Sequence, residues 1–142
     1  LSWLETELED LQKIGGSAIM LSHVPNIDEC TRQFGLRWHA LMDKYQTVVK
    51  WGMQGHIIKS SGKFKEMFPK EAIGVNYIVG SATTYHNKPP SFNVMYLDPD
   101  TLFPVEYQTW ALDLDYANKH DVLKWELRYN FTETYGMKDL SP

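Results

Sequence analysis

The chain reads as an α/β domain. Two amphipathic helical stretches alternate with two short apolar runs in its first 56 residues, and turn-forming clusters separate further β-like runs beyond them. The 142 residues are 43% apolar and 13% aromatic, enough for one domain with a real core. An α-β-α-β alternation is the pattern of layered α/β folds.

Each element has a local justification. Ser2 and Glu5 have the spacing of a capping box, and Leu4, Leu8 and Leu11 recur on one helical face until Gly15 and Gly16 stop it. Residues 17–21 form a short buried strand that delivers His23 at its C-terminal end. Asp28 or Thr31 caps a second helix reaching about Tyr45, with Phe34, Trp38, Leu41 and Tyr45 as its inward stripe. Residues 47–51 are β-branched and aromatic, so they predict the next strand, which feeds the Gly55-His56 turn. Residues 62–71 read as an irregular connection. Residues 73–79 and 91–97 read as an antiparallel pair joined by the turn-rich stretch 86–90, and Asp98-Pro99-Asp100 as another turn. Residues 105–114 alternate as a strand, with Val105, Tyr107, Thr109 and Ala111 on one face. Residues 122–135 suit a closing helix, because Leu123, Leu127, Phe131 and Tyr135 fall at near-helical spacing. No repeat or linker interrupts the chain, which predicts a single domain.

Composition narrows the functional classes. A net charge of −4 offers no broad basic face for phosphate backbones, which argues against nucleic acid as a partner. Lys59, Lys63, Lys65 and Lys70 make a local basic stretch, read first as a solvated loop and second as an anion or membrane-surface patch. No apolar run approaches the ~20 residues that span a bilayer. Cys30 is the single cysteine, so no internal disulfide forms. The chain starts at Leu1 directly in an amphipathic helix, which predicts a segment of a longer precursor.

Three segments carry chemistry. Ala18-Ile19-Met20-Leu21-Ser22-His23-Val24-Pro25 and Trp51-Gly52-Met53-Gln54-Gly55-His56 each end an apolar run in a histidine. Gly80-Ser81-Ala82-Thr83-Thr84-Tyr85 is a tract of small residues closed by a phenol. A neutral imidazole at the mouth of a strand suits metal ligation, since the strand fixes its direction while the turn leaves it open. A lone strand-end histidine is more often an ordinary polar residue. His39 and His120 read as surface histidines, Asp28 as a cap, and His86 as an exposed neighbour of Tyr85.

The three segments in this order resemble the C-terminal half of acid sphingomyelinases, within the calcineurin-like metallophosphoesterases. The ending, Trp125-Glu126-Leu127 and then residues 133–142, resembles the same family, so the resemblance covers the whole chain. It implies the C-terminal half of a layered α/β/β/α sandwich with a C-terminal helix: a single partial domain over 1–142, with 1–115 in the sandwich and 116–142 as a helical segment. It also implies that His23 and His56 are ligands of a two-metal zinc centre and that Tyr85 borders the substrate cleft. There the phenol would hydrogen-bond a phosphodiester oxygen or pack on a choline cation, although a tyrosine at a strand end is as readily a packed aromatic.

The intact family hydrolyses sphingomyelin to ceramide and phosphocholine. The resemblance therefore implies sphingomyelin or another phosphodiester as substrate, peripheral membrane contact, and a secreted or lysosomal location, in which Asn130-Phe131-Thr132 would be a usable N-glycosylation acceptor. Two departures limit it. Ile58 stands where the second histidine of a Gly-His-x-His turn is expected, and the family's N-terminal Asp-x-His, Gly-Asp and Gly-Asn-His motifs are missing from these 142 residues. No catalytic residue is therefore assigned, and a missing N-terminal half is the expected partner. The alternatives are a non-catalytic remnant or binding domain, and a related phosphodiesterase acting on nucleotides or other phosphoesters.

Overall fold

A computed structural model describes residues 1–24, 30–55, 74–85 and 88–140. They build a mixed α/β structure with two three-stranded sheets, as the sequence predicts. The chain forms two compact units, Leu1–Ile78 and Val79–Pro142.

In the first unit the order is α1 (Ser2–Lys13), β1 (Ala18–Ser22), α2 (Arg32–Lys44), β2 (Val49–Gln54) and β3 (Asn76–Ile78). Leu8 of α1 meets Leu41 and Tyr45 of α2 and Val48, all buried, with Leu4, Leu11, Ala18, Met42 and Val49 packed around them. Of the stripes expected of the two helices, Leu8, Leu41 and Tyr45 are buried, whereas Leu4, Leu11, Phe34 and Trp38 are half-buried, the last two stacking on each other with ring centroids 6.4 Å apart.

Gly15 ends the first helical segment at φ +68°, a left-handed conformation that favours glycine. The capping box does not form. Leu1 is the N-cap and no side chain caps the helix. Ser2 already lies inside the first turn, and the Glu5 carboxylate instead accepts from Lys44 Nζ of α2 at 2.9 Å. For the second helix Thr31 is the cap, its hydroxyl oxygen accepting from the Phe34 N–H at 3.4 Å.

Strand β1 pairs parallel with β2, and β2 pairs parallel with β3. The latter pairing corrects one expectation: residues 73–79 were to pair antiparallel with 91–97. Alternation identifies a strand but not its neighbour. Here Asn76 lies against Gly52, which has no side chain to hold it off, and the Gly52 N–H donates to the Val75 carbonyl at 3.0 Å.

In the second unit β4 (Ser91–Leu97), β5 (Pro104–Leu112) and β6 (Trp125–Asn130) form an antiparallel sheet in that order, with α3 (Leu114–His120) and α4 (Phe131–Tyr135). The predicted turn joins β4 to β5. The Asp98 carboxylate accepts from the Asp100 and Thr101 N–H groups at 3.1 and 2.7 Å and from the Thr101 hydroxyl at 2.8 Å. Tyr107 and Ala111 are buried on the face predicted for β5.

The closing helix over 122–135 is a misassignment. The segment is strand β6 followed by the short α4, so the C-terminal region is mixed rather than helical. Residues at i, i+4 satisfy a helix, but Trp125, Leu127 and Tyr129 also alternate, and β5 offers an edge that pairs Leu112 with Trp125 and Gln108 with Asn130. Asn130 then starts α4 by accepting from the Glu133 N–H at 3.1 Å, and Gly136 ends it at φ +64°.

Candidate functional site

The first two chemical segments converge as adjacent parallel strands require. In the β1–β2 ladder Leu21 opposes Met53 and Ser22 opposes Gln54. Just beyond it, the Gly55 N–H donates to the His23 carbonyl at 2.9 Å. A Cβ built on Gly55 would lie 3.4 Å from His23 Nδ1, so the imidazole runs alongside the bare backbone that immediately precedes His56. His23 is exposed.

This geometry presents one imidazole at the C-terminal edge of a parallel sheet, where open α/β sheets bind ligands. As donor chemistry it fits one ligand of a shared metal site. A single imidazole does not hold a metal alone, and no group of three or more His, Cys, Asp or Glu side chains forms a metal-binding set among the described residues. His56, Ile58, Asp28, Glu29, the four clustered lysines and His86 lie outside the described residues.

Tyr85 belongs to the second unit and is 71% exposed. Its loop is tied down at its start. The Gly80 N–H donates to Asn93 Oδ1 at 2.6 Å, and the Ser91 N–H donates to the Ser81 carbonyl at 2.8 Å. Ser81 Oγ then accepts from the Thr83 N–H at 3.2 Å and lies 3.1 Å from Thr83 Oγ1. The small residues singled out in the sequence thus fold the loop through their own hydroxyls.

Asn130, the glycosylation candidate, ends β6 and caps α4. Its amide oxygen also lies 3.1 Å from Thr132 Oγ1, and the Thr132 hydroxyl reaches the Glu106 carboxylate on β5. That hydroxyl has one proton, and the charged carboxylate is the stronger acceptor. The Tyr107 and Thr132 N–H groups donate to Glu106 Oε1 at 2.7 and 3.3 Å. Burial pushes the Glu106 carboxyl up, but these donors together outweigh it and hold the group below the usual carboxylate range. The sequence held no local signal for this buckle.

Burial acts on two further titratable side chains. His39 is half-buried on α2 rather than a surface residue, and burial lowers its pKa. The Tyr129 phenol is pushed up to about 12 by burial and then by its hydrogen bond to Tyr135.

Comparison with known proteins supplies the remaining context. Residues 72–142 match the family described as the acid sphingomyelin phosphodiesterase C-terminal region. Over its whole length the chain is 27% identical to sphingomyelin phosphodiesterase B of Dictyostelium discoideum, covering 24% of that protein. It is 26% identical to sphingomyelin phosphodiesterase 1 of Caenorhabditis elegans, covering 26% of it. Across 99% of the chain it is 24% identical to a human cyclic GMP-AMP phosphodiesterase, covering 34% of that protein. The chain spans about a quarter of the length of the sphingomyelin phosphodiesterases it matches.

Proposed function

Because the chain belongs to the acid sphingomyelin phosphodiesterase family, we propose that it supplies the C-terminal part of a metal-dependent phosphodiesterase site. In this reading it is one portion of a longer catalytic polypeptide, or a degenerate copy of that portion. His23 and His56 are the imidazoles it contributes to a zinc centre. Tyr85 orients the substrate, sphingomyelin or a related phosphodiester, at a membrane surface in a secreted or lysosomal setting, with Asn130 as glycan acceptor. The observation that carries the reading is the convergence of the strand ends, with the His23 ring against Gly55, one residue before His56.

Zinc, when bound, would polarise a phosphoryl oxygen and activate water for in-line attack. The roles of the chain's own residues follow from their positions. The β1–β2 ladder fixes the direction of the His23 imidazole, and the missing side chain at Gly55 leaves the ring room. Ile58 offers no donor where a further imidazole would add one. No described residue is assigned proton transfer. The cyclic GMP-AMP phosphodiesterase relative supports a second substrate class, nucleotide phosphodiesters.

The test is turnover by the purified 142-residue chain with zinc and either sphingomyelin or a chromogenic phosphodiester. Activity at background is expected. Turnover well above background that His23→Ala abolishes would show a self-sufficient site instead. Calorimetric zinc titration separates the alternatives further. Ile58→His is expected to tighten binding only when the chain is fused to a relative's N-terminal half; equal tightening in the chain alone would contradict the shared site.

A further inference from the structure

We propose that Asn93 is the positioning residue for the Tyr85 loop, a tether running from the interior of the β4–β5 pair to the loop backbone. The inference rests on the reading of Tyr85 as a substrate contact and deepens it.

Asn93 is half-buried on β4 directly opposite Thr109 of β5. Its two amide atoms work in opposite directions. Nδ2 donates inward to Thr109 Oγ1 at 2.7 Å and to the Gln108 carbonyl at 3.4 Å, while Oδ1 accepts outward from the Gly80 N–H at 2.6 Å. The inward bonds fix the amide plane, so the outward bond is aimed rather than adaptable. The Ser91 N–H, bonded to the Ser81 carbonyl at 2.8 Å, adds a second rung two residues away on the same strand.

Gly80 permits this closeness. A Cβ there would collide with the Ser91 hydroxyl and stand 3.0 Å from Ser91 Cβ. Tyr85 lies four positions beyond the second rung at Ser81, and the Ser81–Thr83 hydroxyl contact takes up half of that span. The phenol therefore starts from a fixed root although its side chain is largely exposed. Asn93 itself has no need to touch substrate.

Amide hydrogen exchange on the full chain is the direct test. Asn93→Leu keeps the size and the strand preference while removing both sets of bonds. It is expected to speed exchange of residues 80–85 about tenfold while leaving the β5–β6 ladder unchanged. Asn93→Asp is the conservative rescue, since its carboxylate can accept from both the Gly80 N–H and the Thr109 hydroxyl; its exchange should stay close to wild type. Unchanged loop exchange in Asn93→Leu overturns the tether, and so does equal loss of protection across the whole second unit.

The substrate link is read separately in a fusion to a relative's N-terminal half. There Asn93→Leu should raise KM about five- to tenfold with kcat within about twofold. A KM moved by Tyr85→Ala but not by Asn93→Leu overturns the positioning role. A loosened loop with KM unmoved by either variant keeps the tether and removes the substrate role of Tyr85.

Discussion

The Glu106 carboxylate shows how a single side chain makes stability depend on pH. Its hydrogen bonds lower its pKa from the ordinary 4.5, so the folded state holds the proton less tightly than the unfolded chain does. The stabilisation is complete above the ordinary carboxylate value and is lost as pH falls through the lowered folded value. Glu106→Gln is expected to lower Tm at pH 7 and to flatten the acid limb of a Tm-against-pH curve; parallel curves for the two proteins would contradict this. Gly55 acts on His23 by space rather than charge. Gly55→Val should displace the ring and slow labelling of His23 by diethylpyrocarbonate, or change its site selectivity, with the circular dichroism spectrum intact. The strand-end position of His23 was legible in sequence because an apolar run precedes it. Glu106 and Thr132 were not, since they are 26 positions apart and meet only when β5 and β6 pair.

For the helices and strands, the sequence specified faces better than ends or neighbours. The Leu4-Leu8-Leu11 and Leu41-Tyr45 stripes pack as their period requires. The start of α1 was misread because Ser2 and Glu5 have cap spacing yet Glu5 takes a partner from α2. Two substitutions separate the two kinds of start. Thr31→Ala should lower stability by about 1 kcal/mol, whereas Ser2→Ala should change it by no more than about 0.3 kcal/mol, both measured by urea titration. The segment 122–135 satisfies two periods at once, and a strand edge 13 or more residues upstream decided between them. Similarly, β3 alternates correctly, but its parallel partner β2 was not readable from its own residues.

Across the whole molecule, the two compact units have different characters: a parallel sheet with helices α1 and α2 in the first, an antiparallel meander in the second. Leu8 is 1% exposed at the centre of the first unit's helical core. Leu8→Ala should lower stability by about 2–5 kcal/mol, read as a lower urea midpoint, and a smaller effect would mean that the cavity collapses. The β1–β2 ladder slips between Ala18 and Ile19 and then runs unbroken to Ser22 and Gln54. Because strand side chains alternate with period two, a one-residue slip anywhere after Ile19 would turn His23 to the other face of the sheet. For the gene this is an asymmetric constraint. Codons from Ile19 to Ser22 can drift in spelling and even in side chain, but losing or gaining one of them would redirect the imidazole of His23. Descendants that retain the site should therefore differ here by substitution and never by length.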